Sequence, residues 1–440
     1  MPAMTLLPAL LLVVTAASPE APLRLEALAS TSGAGVERIL DGDPTTTWSP
    51  EGDPRDEGIL LRFGETVKAD GVEVVTCAGA SRFTAFADGF ELGLYEYQEK
   101  KGAHAAIWAE MGPDEFDELR SLFLRVDSGT GCIAELSFLK DGKPLPVSPP
   151  RQVAGRLTAT STLPPAPAYH ASYLFDGRLD FGWVEGAAGS GAGEGVTIEL
   201  EKPVTLTGLE VWNGYQRSEA HFTRNARARG VTVSLDGRPP IPLELRDEQG
   251  SRIHLLPAGP PAKRITLRVT SAYPGLKYPD LVLSELRLWD AEGALRVATS
   301  DREAMKRALL EQAKPTILAA FMDRKLQAWE TPKLPAQSLK LRSDHTFVAY
   351  QSCSSRARCL REAMDGTWVL SGSDAGSAEI ELFARAHRTD ENTDPYAPGG
   401  AYQRESTRIA GGKLRITVPA PGSVKVSGKL LDRELKVADR

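Results

Sequence analysis

One short pattern occurs twice in this chain and constrains its fold more than any other feature. Residues 39–48 read ILDGDPTTTW and residues 173–183 read YLFDGRLDFGW; in both, Asp-Gly follows two bulky apolar residues, and a tryptophan comes seven positions after the Asp, Asp41 to Trp48 and Asp176 to Trp183. The match spreads outward. LEALASTSG parallels RLTATSTLP upstream, EGILLRFGETVKADGVEVV parallels EGVTIELEKPVTLTGLEVW downstream, and later SLFLRVDSG parallels RITLRVTSA and AELSFLKDG parallels SELRLWDAEG. A repeat of this length is too long for a stacked solenoid unit, so each copy is a whole domain of short alternating strands. Gly, Pro and Asp punctuate the strands and convincing helices are few, which predicts a mainly β protein opening with two tandem antiparallel β-sandwiches.

With 440 residues the chain exceeds what one core organises, and about three domains are expected. The first sandwich spans residues 24–143 and the second 151–294, separated by the proline-rich linker DGKPLPVSPPRQ at residues 141–152. The start, MPAMTLLPALLLVVTAASPEAP, has an apolar run from Leu6 to Val14 followed by small residues, the pattern of a signal peptide over residues 1–18, although no Lys or Arg precedes the run. The run is shorter than the roughly 20 residues a membrane span needs, and no cysteine follows it to carry a lipid. The mature chain is therefore expected to lack a transmembrane segment and to be secreted or periplasmic, in the cell envelope. Cys77, Cys132, Cys353 and Cys359 are even in number and fall two and two into separate regions, which pairs Cys77 with Cys132 and Cys353 with Cys359 in an oxidising compartment. A formal charge of −6 lacks the basic excess of a nucleic-acid binder.

The Ser/Thr-rich first strand, the DG-x5-W element, the apolar strand and the late Ser/Ala-Glu-Leu strand resemble the discoidin, or coagulation factor type C, family of galactose-binding-like jelly rolls. The second copy is closer to a subgroup, the translocation (glycan-binding) domain attached to bacterial NAD glycohydrolase toxins; VWNGYQRSEAHFTRNARARGVTVSLDG (211–237) and SAYPGLKYPDLVLSEL (271–286) carry that likeness. Together the two resemblances cover about residues 24 to 293. They concern the non-catalytic attachment of those toxins, and nothing in the sequence supports NAD cleavage.

Carboxylates two apart on a tight turn, Asp41 and Asp43, can converge on one hard cation, or they can simply cap backbone N–H groups. The resemblance implies the former: a structural Ca²⁺ held by Asp41, Asp43, Thr46 and Glu135 with the carbonyls of Arg38 and Ala134. In the second copy Arg178 and Phe181 replace the oxygen donors, and no metal is expected there. Family modules bind sugars, lipids or proteins through loops at one end of the sandwich. In the second copy Asn213, Tyr215, Gln216, His221, Asn225, Tyr273 and Tyr278 gather in loop-like stretches. Aromatic faces and amides suit a glycan, while the same residues taken singly read as turn and rim packing. Trp48 and Trp183 read as core. Arg224, Arg227 and Arg229 read as a solvated strand face.

Signals for an enzyme are missing. GSGAGEG (189–195) precedes a strand, so it offers no helix N-terminus to a phosphate, and the six histidines form neither HExxH nor part of a nucleophile elbow. Ser300 with Glu303 reads as a capping box, and Met305, Leu309, Ala313, Ile317 and Phe321 recur at helical spacing, so a helix or broken pair of helices is predicted over 300–330, reaching about Trp329. Residues 335–440 then alternate as SLKLRSDHTFVAY, GTWVLSG, AEIELFARA, KLRITV and SVKVSG, a small β domain similar to lipocalin-like barrels. RTDENTDPYAPGG (388–400) reads as a mobile loop. The sequence thus points to an exported, non-catalytic binding protein recognising carbohydrate or a cell-surface ligand. The competing reading is a structural protein of the envelope that packs on partner proteins.

Overall fold

A computed structural model of the chain describes residues 23–69, 71–77, 81–87, 90–92, 99–101, 104–110, 119–353, 358–374, 376–394, 396 and 398–438. The expected leader lies outside them. The fold is mainly β, and period-2 alternation decides which residues make its cores. In Gly58–Val67 the side chains of Ile59, Leu61 and Phe63 are buried while Leu60 and Arg62 face the other way.

The first unit packs two sheets on one core. One runs in spatial order Val147–Ser148, Leu23–Ser30, Gly58–Val67, Leu119–Ser128, Arg82–Ala87, Phe90–Leu92; the other runs Lys143–Leu145, Ile133–Lys140, Gly71–Thr76, His104–Glu110, Glu99–Lys101. Phe63 meets Phe138 edge to face, with ring centroids 5.0 Å apart, where the sheets touch. The second unit repeats Gly58–Val67 as Gly195–Val204, paired with Arg151–Ala159 and Ala262–Tyr273. Its strand Leu281–Asp290 is buried at every position from Leu281 to Leu288, so both its faces are covered. The sheets are not purely antiparallel as expected: Leu23 and Arg24 pair in parallel with Val147 and Ser148, and Arg151–Ala154 pair in parallel with Leu295–Ala298. Each unit thereby ties its end back beside its own beginning.

The remaining strands close into a barrel, in the order Leu326–Ala328, Ala336–Leu341, Thr346–Ser352, Arg358–Ser373, Ser377–Asn392, Tyr402–Ala420, Ser423–Ser427 and Arg433–Val437, with the last pairing back to the first. Leu339, Leu341, Phe347, Trp368, Ile380, Leu382, Ile416 and Val426 fill it, joined by Leu309, Ala313 and Phe321 from the preceding helical segment. That segment is shorter than predicted. The helix Asp301–Ala313 ends before Pro315, a single 3₁₀ turn follows at Ile317–Ala320, and Leu326–Ala328 is already barrel strand. Ser300 makes no side-chain cap; Thr316 caps the 3₁₀ turn instead. Arg388–Asn392, expected in a mobile loop, pair with Tyr402–Ser406 as a strand. Both disulfides join the expected cysteines, Cys77 to Cys132 and Cys353 to Cys359.

Buried charges hold the three units together. Glu57, fully buried, accepts from Arg342 Nε at 2.8 and 3.0 Å and from Lys340 and Thr31, while Lys340 Nζ also donates to Arg55 O at 2.9 Å. Lys340 and Arg342 lie two apart on one barrel strand, alternating with the inward-facing Leu339 and Leu341, so both point at the first unit. Glu26 joins the first unit to the second, pairing with Arg62 at 2.9 Å and with Arg287 at 3.2 Å, and Arg287 lies 4.5 Å over the Trp212 ring. Arg217 of the second unit reaches into the barrel, donating to Asp365 O and Phe383 O, and Arg385 Nη1 returns a bond to Arg217 O at 2.9 Å.

Candidate functional site

The repeat can be followed atom by atom. In the first unit Thr31 exchanges hydrogen bonds with Gly58 and donates to Glu57; in the second, Thr160 does the same with Gly195 and Glu194. Trp48 Nε1 donates to Ser32 O at 3.2 Å and Trp183 Nε1 to Ser161 O at 2.9 Å, and both rings are fully buried, as core. These pairs place Thr31 opposite Thr160, a shift from the alignment of LEALASTSG with RLTATSTLP read off the sequence.

The Asp-Gly turns sit against a glutamate from the late strand in each copy. In the first, Asp41 Oδ1 accepts from Asp43 N at 2.9 Å, Asp41 Oδ2 accepts from Thr46 Oγ1 at 2.7 Å, and Asp43 Oδ1 accepts from Thr45. Burial, then the nearby carboxylates of Asp41 and Asp43, push the Glu135 carboxyl above its usual range, and its Oε1 is buried without a hydrogen-bond partner. An orphaned oxygen among carboxylates is a donor set that suits a cation. Among the described residues no three His, Cys, Asp or Glu side chains are gathered into a set that could hold a metal by themselves. A cation at this turn would therefore also draw on the carbonyls of Arg38 and Ala134 and the hydroxyl of Thr46.

In the second copy an arginine, Arg296, lies beside the turn. Gly177 N donates to Glu285 Oε1 at 3.2 Å, and Arg296 donates to Phe175 O at 3.0 and 3.2 Å and to Leu28 O of the first unit at 2.7 Å. Burial pushes both carboxyls up, Asp176 to about 6; the nearby Asp180 carboxylate adds to the rise at Asp176, and Asp176 adds to it at Glu285. Arg178, expected to face this site, instead donates Nη2 to Asp180 at 2.6 Å and lies 4.3 Å over the Phe181 ring. Arg296 lies near both acids without pairing with either; Arg302 and Arg178 favour the ionised form of Asp176, and Arg287 and Arg296 that of Glu285.

The loop residues expected to bind a ligand divide into support and surface. Asn213 is buried with its amide fully committed, accepting from Ala228 N and donating to Ala228 O and Arg246 O. Tyr215 and His221 are buried ring against ring, edge to face with centroids 5.0 Å apart, and burial with the charges of Arg217, Arg385 and Arg224 pushes His221 down to about 3, leaving it neutral. Asn225 donates to His221 O and Tyr273 to Leu245 O. These five shape the loop from behind rather than offering free groups to a ligand, because a loop with so few apolar residues needs its polar side chains to bind its own backbone. Tyr278 is half-buried, with the Lys277 ammonium 4.9 Å over its ring. Gln216 bonds Asn213 O and Gly250 N and also reaches an internal cavity. Arg227, read as solvated, is buried and holds Asp247 through two bonds of 2.6 and 2.8 Å; Arg229 is exposed.

That cavity, of about 650 Å³, lies where the three units meet. The first unit gives it the outer face of a sheet, Leu60, Arg62 and Phe123. The second gives the Asp-Gly loop residues Arg178–Asp180 and the loop Gln216–Ser218. The barrel gives two outward rungs, Val348–Asp365–Arg385 and Tyr350–Ala363–His387–Thr407, aligned by strand register. Five arginines and three aspartates line it beside Phe123 and Tyr350. Arg385 is held by Asp365 at 3.0 and 3.1 Å. The repeated Asp-Gly element and Gln216 mark the second unit's share of this site, but no motif marks the faces that the first unit and the barrel bring to it.

No curated protein matches the chain. Among solved structures, the CBM32-1 and CBM32-2 domains of Clostridium perfringens ZmpB are 12% identical, covering 60% of this chain and 92% of that one, at a TM-score of 0.23. The arabinofuranosyltransferase AftD from Mycobacteria is 12% identical, covering 89% of this chain and 41% of that one, at 0.27, and a striped bass (Morone saxatilis) serum f-lectin is 9% identical, covering 61% and 96%, at 0.25. Residues 151–289, most of the second unit, match the family described as NAD glycohydrolase translocation F5/8 type C domain.

Proposed function

We propose that the chain is an exported, non-catalytic protein that binds carbohydrate where the loops of its second unit enter the central cavity. The observation that carries this reading is the cavity's lining. An amide (Gln216), paired charges (Arg178 with Asp180) and aromatic side chains (Phe123, Tyr350) share one space of about 650 Å³. A sugar ring presents apolar C–H faces and a rim of hydroxyls, and this mixture of flat apolar and fixed polar groups answers both. The family match over residues 151–289 supports the same reading, because the resemblance implies glycan attachment.

In this reading residues 24–143 and 151–294 are jelly-roll domains, 300–330 a connector and 335–440 a lipocalin-like barrel whose packed interior leaves its outer face for recognition. The first unit holds a structural Ca²⁺ with Asp41, Asp43, Thr46, Glu135 and the carbonyls of Arg38 and Ala134. The ion would supply positive charge that relieves the carboxylate crowding at Glu135 and stiffens the Asp-Gly turn. The second unit needs none, since Arg178, Arg302, Arg287 and Arg296 supply that charge from within the chain. A glycan array probed with the full chain and with Gln216→Ala tests the function. The expected result is a defined set of bound glycans whose signal falls in the variant; a folded wild-type chain that binds no glycan refutes it.

A further inference from the structure

We infer that the carbohydrate bound by this chain is a neutral oligosaccharide, one end of which fills the central cavity while the following units run out along a slot between the second unit and the barrel. The inference deepens the carbohydrate reading and rests on it. The slot is a second cavity, of about 570 Å³, lined on one wall by Glu219, Ala220, Thr223 and Arg224 of the second unit and on the other by Glu405 and Ser406 of the barrel. Ser218, His387 and Thr407 line both it and the central cavity, so the two spaces adjoin across these three residues. Among the described residues no hydrogen bond or ion pair joins the two walls. Thr223 donates to Glu219 O on its own helix, and His387 bonds Thr407 at 3.1 Å and lies 3.8 Å from Glu405, all three within the barrel.

The charges of the central cavity are already matched within the protein. Asp56 pairs with Lys325 at 2.8 Å, Arg62 with Glu26 at 2.9 Å, Arg178 with Asp180 at 2.6 Å and Arg385 with Asp365 at 3.0 Å. Arg342 holds Glu57, and Arg217 is spent on the backbone oxygens of Asp365 and Phe383. A charged ligand would have to draw one of these groups from its partner, and breaking such a pair is costly. Hydroxyls need not: Asp180 and Asp365 keep 18% and 25% of their side chains exposed, and a paired carboxylate still has lone pairs to accept from an O–H. Leu60, Phe123 and Tyr350, each half-buried, offer apolar surface to the C–H face of a ring. In the slot Glu219, Arg224 and Ser406 are exposed, and their side chains hold no partner in the protein. Two carboxylates, Glu219 and Glu405, stand there against one guanidinium, which disfavours an anionic chain. One small ligand occupies a pocket of about 300–1,000 Å³, so adjoining spaces of about 650 and 570 Å³ suit several linked sugars better than one.

The test titrates the full chain by calorimetry with linear oligosaccharides of one to six units built on galactose, glucose, mannose or N-acetylglucosamine, and with a galacturonate series as the charged comparison. At least one neutral series is expected to bind, its affinity rising at least tenfold from the single sugar to the four-unit chain, and no galacturonate chain is expected to bind more tightly than its galactose counterpart. Glu219→Ala/Arg224→Ala, two exposed positions on the slot wall, should keep the melting temperature and bring the four-unit chain down to the affinity of the single sugar. One affinity at every length would overturn the slot and leave the carbohydrate reading standing. A length dependence that the double variant does not alter would place the outer units elsewhere and overturn the slot as well. Tighter binding of the galacturonate series would overturn the neutral ligand. No binding by any series, from a chain that does bind other glycans on an array, would overturn the inference alone; no binding to any glycan would overturn the carbohydrate reading with it.

Discussion

Glu57→Gln isolates the buried charge cluster that docks the barrel on the first unit. Both carboxylate oxygens are in use: Oε1 accepts from Arg342 and Lys340, and Oε2 from Arg342 and Thr31. The amide keeps the shape but removes the charge and turns two donors toward groups that can only donate or already do. Breaking a buried pair by deleting one partner destabilises by about 3–5 kcal/mol, because the other charge stays buried and uncompensated. Here two cations are left. Lys340 can shed its proton, since burial and Arg342 already push its ammonium below the ordinary lysine value, but Arg342 cannot. The expected loss is therefore about 3 kcal/mol, the low end of that range. Urea unfolding followed by tryptophan fluorescence measures it, with Glu194→Gln as the control. Glu194 is the equivalent residue of the second unit, partly exposed, and it holds only Thr160 and Ser161, so about 1 kcal/mol is expected there. The pH dependence gives a second check. Although burial alone would raise the Glu57 carboxyl, Arg342 and Lys340 hold it below its ordinary value. A depressed carboxyl contributes stability that is fully present above its unfolded pKa and is lost as pH falls through the folded one, so wild type and variant should converge only in strong acid. A loss below 1 kcal/mol for Glu57→Gln, or one no larger than that of Glu194→Gln, refutes the reasoning.

The acidic pair of the second unit works in the opposite direction: Asp176 and Glu285 have raised folded pKa values, so the folded state binds more protons than the unfolded one and stability falls as pH rises from about 4 toward 6. Glu285→Gln should then raise the melting temperature at pH 8 more than at pH 4.5, and an equal effect at both would exclude the pair as its source. Calcium should raise the melting temperature of the wild-type chain and not of Glu135→Gln; identical shifts, or none, would remove the cation from the first turn. The two disulfides close loops of sequence separation 55 and 6, which correspond to about 4 and about 2 kcal/mol of chain entropy. Cys77→Ser/Cys132→Ser should therefore lose about twice as much stability in urea as Cys353→Ser/Cys359→Ser, and the reverse order would place the greater constraint in the barrel.

Much of the fold was legible because its signals are local or repeated. Ile59, Leu61 and Phe63 alternate with outward residues and do go inward; Trp48 and Trp183 recur at one offset and both are core; four cysteines split two and two and pair that way. A break in the helical segment was legible at Pro315, but its second part was not: spacing through Ile317 and Phe321 suggested helix as far as Trp329, where the chain makes one 3₁₀ turn and then enters the barrel. The candidate loop of the second unit was found, but the roles within it were not. Spacing can gather Asn213, Tyr215 and His221, yet only packing reveals that their polar atoms are spent on the loop's own backbone and neighbours.

The sequence by itself determined the repeat, the strand faces and the residues that fill each core, since period-2 alternation and turn chemistry act over a few residues. What covers an outward face is a matter of how whole units dock, and that only the tertiary structure decided: Glu57 meets Lys340 and Arg342, Arg296 comes to lie beside the second Asp-Gly turn, and three faces line one arginine-rich cavity. Alternation fixes the direction in which a side chain points, whereas its partner can lie hundreds of positions away, as Arg342 lies 285 positions from Glu57.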